Sequence, residues 1–299
     1  MNKKVLILND KKYNGRPAYL NSQAIVSAFG DRGYIEALDT YKYNAFLIGQ
    51  IVDQDEILNI REFVADQKLD NQHSILFLDP SFAKDGKTLE FVSGDYIANY
   101  KKLVEISDVF SPNLSEACII SGESYEEYKD KYCTINYDKS DTEKSNELSR
   151  KIIESISPLL DKLRVKKNQI TIITGIEMYN SVLTILDIFD GDHGKRQITC
   201  NYSDKIENRY GAAELFSSMF FETSTNGFSL VDSLSISTSF VFNSLRFSRD
   251  NKFNPDDGII FEPILYDNIV ALRNKLKENK NQNKANNQNS QNNNSNNKE

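Results

Sequence analysis

Short apolar runs alternate along the chain with longer segments whose apolar residues recur at helical spacing. Ile57, Ile60 and Val64 show this spacing, which places side chains on one face of a helix. The pattern predicts strands over residues 5–8, 45–48, 74–78, 109–110, 170–173, 181–189 and 197–202. It predicts helices over residues 21–29, 53–66, 96–106, 148–163, 212–221 and 230–245.

This alternation predicts an α/β fold with three layers. Strands that alternate with helices form a mostly parallel central sheet with helices on both faces. The 299 residues suit one such unit, and we expect a single domain over residues 1–274. Ligands of these sheets bind beyond the carboxyl ends of the strands, so motifs at strand ends are the candidates for chemistry.

Two polar segments interrupt the pattern. Residues 275–299 consist mostly of Asn, Gln, Lys and Ser, which bury too little apolar surface to offset the entropy of ordering. We expect a disordered tail there. Residues 125–147 are highly charged, and we expect them to form a surface excursion.

Charge and cysteine content narrow the class of protein. The net charge of −7 and the pI of about 5.1 argue against a general nucleic-acid binder, which would carry a basic surface. The three cysteines form no CxxC pair and suit reduced thiols. No apolar run reaches the roughly 20 residues that span a bilayer, and the apolar start is too short for a signal peptide. We expect a cytoplasmic protein without a membrane partner.

Two motifs follow predicted strands. Asp79-Pro80 places a carboxylate where it could face magnesium bound to a phosphate, although a plain turn carboxylate explains it equally well. In SPNLSEA (residues 111–117), Asn113 and Glu116 have the spacing of a helix capping box. The functional alternative places both side chains at the mouth of a nucleotide site, with Glu116 near Mg²⁺.

The third motif is NRYGAAELF, residues 208–216. Gly211 precedes an apolar helix, whose first amide groups could bind the charge of a phosphoryl group in transfer. Glu214 in the first turn could act as a base, or it could only stabilise the helix dipole. The chain contains no GxxxxGK[ST] phosphate loop, which argues against an enzyme of that class.

In order, these motifs resemble the pyridoxal/pyridoxamine kinase family of the ribokinase-like superfamily, from Val5 to about Ile269. VLILNDKKYNG is similar to the first strand and loop of the family, and DPSFAKDGK is similar to its DPVM segment. SPNLSEA resembles its PN-x-x-EA motif, TIITG its nucleotide-side strand, and GAAELFSSMF its GTGD motif with the following helix. DDGIIFEPIL matches its late segment.

The resemblance implies a three-layer ribokinase-like fold, a homodimer, and transfer of the γ-phosphoryl group of ATP to the 5′-hydroxymethyl group of a vitamin B6 vitamer with Mg²⁺. It implies the following roles: Asp79 and Glu116 at Mg²⁺ and phosphate, with Asn113 nearby; Thr174 and Gly175 on the nucleotide side; Gly211, Ala212 and Ala213 at the anion hole; Glu214 as the base; and Ile7, Asp10, Ile48 and Gly49 on the substrate side.

The sequence also departs from the family. GTGD reads GAAE, Ile7 replaces a serine that faces the pyridine ring, and an insertion that covers the substrate is expected to be missing after Thr40. Three hypotheses therefore stay open. The chain is a vitamin B6 kinase, a ligand-binding relative with impaired catalysis, or a kinase of the superfamily for another substrate, such as a hydroxymethylpyrimidine or a sugar.

Overall fold

The computed structural model describes residues 3–13, 16–35, 42–190, 194–207 and 209–275. Thr40 and residues 276–299, nearly all of the expected tail, lie outside the described residues. The strands are, in chain order, β1 (Lys4–Leu8), β2 (Lys12–Tyr13), β3 (Arg16–Pro17), β4 (Arg32–Tyr34), β5 (Ala45–Ile48), β6 (Ile75–Leu78), β7 (Ala83–Lys84), β8 (Lys87–Thr88), β9 (Val109–Phe110), β10 (Ile170–Glu177), β11 (Ser181–Asp190) and β12 (Lys195–Asp204).

The helices are α1 (Tyr19–Phe29), α2 (Gln54–Asp70), α3 (Tyr96–Ile106), α4 (Leu114–Ser121), α5 (Tyr125–Cys133), α6 (Thr142–Leu163), α7 (Ala212–Thr225) and α8 (Leu230–Asp250). A 3₁₀ turn at Pro255–Asp257 and a helical segment over residues 262–275 follow.

The central sheet has eight strands in the order β12-β11-β10-β9-β6-β5-β1-β4. Six strands that follow one another in this order run parallel: β10, β9, β6, β5, β1 and β4. At one edge, β11 pairs antiparallel with β10, and β12 pairs antiparallel with β11. Non-consecutive neighbours such as β6 and β9 require crossover connections, which the helices provide. The strand ends that carry the candidate motifs therefore meet at one edge.

Alternating side chains of the strands divide the core into two faces. Leu6, Phe46 and Leu78 face a cluster that includes side chains of α2, α3, α4 and α6. Val5, Leu47 and Phe77 face a second cluster with α1, α7 and α8. The predicted α/β fold, with helices on both faces of a mostly parallel sheet, is confirmed.

Aromatic packing fixes α7 to the sheet. The ring centroid of Phe77 on β6 lies 6.1 Å from that of Phe220 and 6.5 Å from that of Phe221. Burial of each such ring contributes roughly 1.5–3 kcal/mol. This contact holds the start of α7, and with it Gly211, at the carboxyl edge of the sheet.

Two segments differ from the predictions. The strand predicted to end at residue 173 continues to Glu177, because a bulge at Thr174-Gly175 shifts its pairing with β11 and then restores it. Gly175 has a positive φ of 67°, which glycine adopts without strain. The charged stretch 125–147 is largely exposed, but it forms α5 and the first turns of α6.

Candidate active site

Backbone hydrogen bonds align the strand ends at the carboxyl edge. The amide of Asp79 donates to the carbonyl of Ile48 at 2.8 Å, and the amide of Ser111 donates to Leu78 at 2.9 Å. The amide of Thr174 donates to Pro112 at 3.0 Å, and Thr174 forms an isolated bridge with Asn113. The motifs that begin at residues 79, 111 and 174 therefore lie side by side.

A small cavity of about 10 Å³ opens at this edge. Its volume leaves room for about one water molecule. The lining of the cavity includes two of the predicted substrate-side residues, Ile7 and Gly49, and the predicted base, Glu214. It is lined by Ile7, Leu8, Asn9, Ser22, Leu47, Gly49, Asp79, Glu214 and Ser217.

Glu214 forms an ion pair that the motifs did not predict. Lys11 Nζ lies 3.2 Å from Glu214 Oε1, and the side chain of Glu214 is only 2 % exposed. Glu214 Oε2 is buried and has no hydrogen-bond partner among the described residues. Burial lowers the pKa of Lys11, but Glu214, Asp79 and Glu116 outweigh it, so the pKa is raised and Lys11 is charged.

Asp79 is 6 % exposed and lines the same cavity as Glu214. Burial raises the pKa of Asp79 to about 8, and the negative charge of Glu214 adds to the rise. The hydroxyl of Ser217 and the charge of Lys11 oppose it. Asp79 therefore holds a proton over much of the neutral range.

Glu116 and Asn113 form the capping box predicted for α4. Glu116 Oε2 accepts from the amide of Asn113 at 2.9 Å, and Asn113 Oδ1 accepts from the amide of Glu116 at 3.0 Å. Glu116 Oε1 also accepts from the amides of Phe82 and Ala83 at 3.0 and 3.3 Å, and Asn113 Nδ2 donates to the carbonyl of Ala83 at 3.0 Å. These bonds hold the segment after β6 against α4.

Glu116 is fully buried, and both of its oxygens bind backbone amides. Burial raises its pKa to about 8, although the amides of Asn113, Ala83 and Phe82 lower it. The cavity beside Asp79 does not include Glu116 in its lining. In this conformation the carboxyl group fixes the local backbone and does not face the cavity.

Gly211 begins α7 with a φ of +105°, a conformation that residues with a Cβ rarely adopt. Ala212 and Ala213 follow at half-buried positions in the first turn, where the backbone amides have no partner within the helix. Within the described chain, no side chain caps these amides. Uncapped amides at a helix start are groups that can bind an anion.

The other predicted ligand residues lie around this centre without lining the cavity. Gly175 is exposed in the bulge and Thr174 is half-buried beside Asn113. Ile48 points into the core on the other face of the sheet. Asp10 is exposed, and its Oδ2 accepts from the amide of Val52 at 2.8 Å.

The sequence analysis predicts no role for Lys11 in the site, because none of the motifs assigns one to it. The available signal was its position two residues after Asn9, in the loop that follows a buried strand. The side chain of Asn9 packs on Gly49 and accepts from the amide of Lys11 at 3.0 Å, which shapes this loop.

Magnesium, which the resemblance implies, does not fit as an ion held by this arrangement of side chains. Among the described residues, no group of three or more His, Cys, Asp or Glu is placed to hold a metal ion. Glu116 is committed to backbone amides, and Glu214 is paired with Lys11. Of the two carboxyl groups that line the cavity, Asp79 is the one outside the ion pair with Lys11.

Comparisons with known proteins rest on structure. No protein-family model matches the chain, and a search of curated proteins gives no match. Solved structures match along nearly the whole chain. A pyridoxal kinase from Lactobacillus plantarum is 14 % identical, with a TM-score of 0.66, and the match covers 91 % of this chain and 98 % of that one.

The fold is that of the pyridoxal kinases. A Leishmania donovani pyridoxal kinase in complex with ADP is 13 % identical, with a TM-score of 0.65 over 91 % of this chain and 96 % of that one. A phosphomethylpyrimidine kinase candidate from Bacteroides thetaiotaomicron, crystallised with pyridoxal, is 16 % identical with a TM-score of 0.68 over 90 % and 96 %. These likenesses confirm the predicted pyridoxal kinase-like fold.

No helix in the described part of the chain is long and apolar enough to cross a membrane.

Proposed function

We propose that the chain is a kinase that transfers the terminal phosphoryl group of ATP to the hydroxymethyl group of a vitamin B6 vitamer. One observation carries this proposal. Asp79 and Glu214, the latter in the first turn of α7, line one cavity at the carboxyl edge of the sheet. That cavity also contains Ile7 and Gly49, two of the four predicted substrate-side residues.

The roles follow from the chemistry of phosphoryl transfer. The hydroxymethyl oxygen bonds to the terminal phosphorus, the bond from that phosphorus to the bridging oxygen breaks, and ADP leaves. The hydroxyl proton passes to the carboxylate of Glu214, and the amides that follow Gly211 stabilise the charge on the transferring group. Thr174, Gly175 and Asn113 form the nucleotide side.

The closed cavity sets a condition on this reaction. A pyridine ring is far larger than a space of about 10 Å³. Substrate binding therefore requires side chains that line the cavity to move. The binding-competent form is a second conformation, which the ligand selects or induces.

A second candidate is a ligand-binding protein without turnover. The ion pair between Lys11 and Glu214 favours it, because a paired carboxylate is a poor proton acceptor until the pair separates. Ala213 and Ile7, which replace a glycine and a serine in the resemblance, are the further grounds. A third reading, a kinase for a hydroxymethylpyrimidine or a sugar, differs only in the molecule that the cavity admits.

The test incubates purified protein with ATP and magnesium and with pyridoxal, pyridoxine, pyridoxamine, a hydroxymethylpyrimidine or a sugar, and measures phosphorylated product by mass spectrometry. We expect a phosphorylated vitamer. Glu214→Gln should lower the rate by about 10² or more. Glu154→Gln, at an exposed position of α6, should leave the rate unchanged.

The same assay separates the alternatives. Product from the pyrimidine or the sugar alone would assign a different substrate. If every compound stays unphosphorylated while a vitamer still raises the melting temperature, the kinase proposal fails and the ligand-binding candidate stands.

A further inference from the structure

We propose that Lys11 is a built-in counter-cation for Asp79 and Glu214, holding by covalent attachment the place that a divalent cation would otherwise take. This inference concerns the charge balance of the site and does not depend on which substrate the protein uses. Three observations carry it: the position of the ammonium group, the state of the other carboxyl groups, and the rigidity of the loop.

The ammonium group of Lys11 lies directly against the buried carboxylate of Glu214. Lys11 Nζ is 3.2 Å from Glu214 Oε1, and the side chains are 26 % and 2 % exposed respectively. Asp79 lines the same cavity as Glu214 and is 6 % exposed. Buried carboxyl groups need a positive charge or a proton to remain buried. Lys11 supplies the charge for Glu214, and Asp79 next to it holds a proton until it ionises.

The remaining acid cannot complete a metal site in this arrangement. Both oxygens of Glu116 accept hydrogen bonds from the backbone amides of Phe82, Ala83 and Asn113. No metal-holding group of three or more His, Cys, Asp or Glu is found in the part of the chain that the structure describes. The cleft thus offers two carboxyl groups and one resident cation, whereas hard divalent ions take several oxygen ligands.

The backbone places the lysine in a fixed position. The amide of Lys11 donates to Asn9 Oδ1 at 3.0 Å, and its carbonyl accepts from the amide of Ala18 at 2.8 Å. The preceding amide, of Asp10, donates to the carbonyl of Gln50 at 2.9 Å. Because the chain is tied on both sides of Lys11, the ammonium group is a built component of the cleft.

The experiment measures Mn²⁺ binding by electron paramagnetic resonance, without nucleotide and at mildly alkaline pH, where Asp79 ionises. Wild type is compared with Lys11→Met, Lys11→Arg and Lys12→Met. Lys12 is exposed and adjacent in the chain, so its replacement removes the same charge from the same loop without changing the cavity. Circular dichroism confirms that each variant is folded.

We expect Lys11→Met to gain a single Mn²⁺ site at least about ten-fold tighter than any site of wild type, Lys11→Arg or Lys12→Met. Adding Glu214→Gln to Lys11→Met should remove that site again. Equal Mn²⁺ affinity in wild type and Lys11→Met would overturn the proposal. If Lys11→Met does not fold, a tight single site in wild type or in Lys11→Arg would overturn it, and the absence of such a site in both would support it.

Discussion

Lys11 and Glu214 form an ion pair of 3.2 Å that joins the loop after β1 to the first turn of α7. Glu214 also lines a cavity with room for about one water molecule. The pair holds the candidate base in a closed, charge-balanced state. A substrate hydroxyl that gives its proton to Glu214 must compete with Lys11 for this carboxylate, so the strength of the pair sets part of the cost of using the base.

Glu116 should be a stability residue of the site. Glu116→Ala leaves three backbone amides without their acceptor, and an unsatisfied buried donor costs about 1–3 kcal/mol. We expect the free energy of unfolding to fall by about 3 kcal/mol or more. Urea unfolding followed by circular dichroism measures this change.

Glu116→Gln keeps one acceptor oxygen and should cost clearly less than the alanine variant. Glu105→Ala, at an exposed position of α3, should change the free energy by no more than about 0.5 kcal/mol. Equal losses in the alanine and glutamine variants would contradict the assigned hydrogen bonds.

Asp79 should make the protein less stable as the pH rises. Its pKa is raised to about 8 by burial and by the charge of Glu214, from an ordinary value near 4. Between these two values the folded protein binds more protons than the unfolded chain, so the free energy of unfolding falls with rising pH. Above about pH 8 this contribution is constant.

Asp79→Asn removes this titrating group. Between about pH 4 and pH 8, the free energy of unfolding should then fall less steeply with pH, by a slope that corresponds to at most one bound proton. Glu116 and Glu222, whose pKa values burial also raises to about 8, keep part of the slope. Asp66→Asn, an exposed position on α2, is the matched control. Urea unfolding across the pH range gives the slopes, and identical slopes in wild type and Asp79→Asn would refute the assignment.

Local patterns were sufficient to predict the layers of the fold. Apolar runs such as 45–48 and 109–110 became strands with the predicted bounds, because their side chains face the core on both sides of the sheet. The exposed helix α5 escaped prediction, because its charged sequence has only Tyr128 and Tyr132 as buried positions. The sequence pattern predicts a strand end at Thr174-Gly175, where the structure has a bulge, because a glycine is typical of both features.

The candidate site was predictable in position but not in charge balance. The capping box of Asn113 and Glu116 followed from spacing alone, because both partners lie within one helical turn. The ion pair of Lys11 and Glu214 joins residues distant in sequence, so only the folded sheet brings them together. The resemblance named Asp79 and Glu214, which line one cavity, but it did not name the lysine that pairs with Glu214.

Gly49 should be required for the shape of the loop after β1. A Cβ atom at this position would lie 2.3 Å from Asn9 Nδ2 and 2.6 Å from Asn9 Cγ. Gly49→Ala forces Asn9 to move and lose its hydrogen bond to the amide of Lys11, and overpacking of this kind costs about 1–3 kcal/mol. Urea unfolding measures the loss.

The double variant Asn9→Ala with Gly49→Ala tests the cause. Removing the Asn9 side chain removes the clash, so the double variant should lose less stability than the sum of the single variants, by about 1 kcal/mol. Strict additivity would show that Gly49 acts through the backbone alone.

Gly211 should serve phosphate binding as well as the fold, and the chain contains a matched control. Gly211 and Gly227 have positive φ angles of 105° and 107°, one before α7 and the other after it. Alanine at either position is strained by about 1–2 kcal/mol, so Gly211→Ala and Gly227→Ala should lose similar stability in urea unfolding.

Only Gly211→Ala should weaken nucleotide binding. Its Cβ would lie 3.3 Å from Asn21 Nδ2 and would shift the first amides of α7, whereas a Cβ at Gly227 meets no described atom within 4 Å. We expect calorimetric titration with ATP to show affinity at least about ten-fold lower for Gly211→Ala and unchanged for Gly227→Ala. Because the two variants share the same backbone strain, an equal loss of affinity in both would mean that general destabilisation is the cause. Unchanged affinity in both would mean that the start of α7 does not bind phosphate.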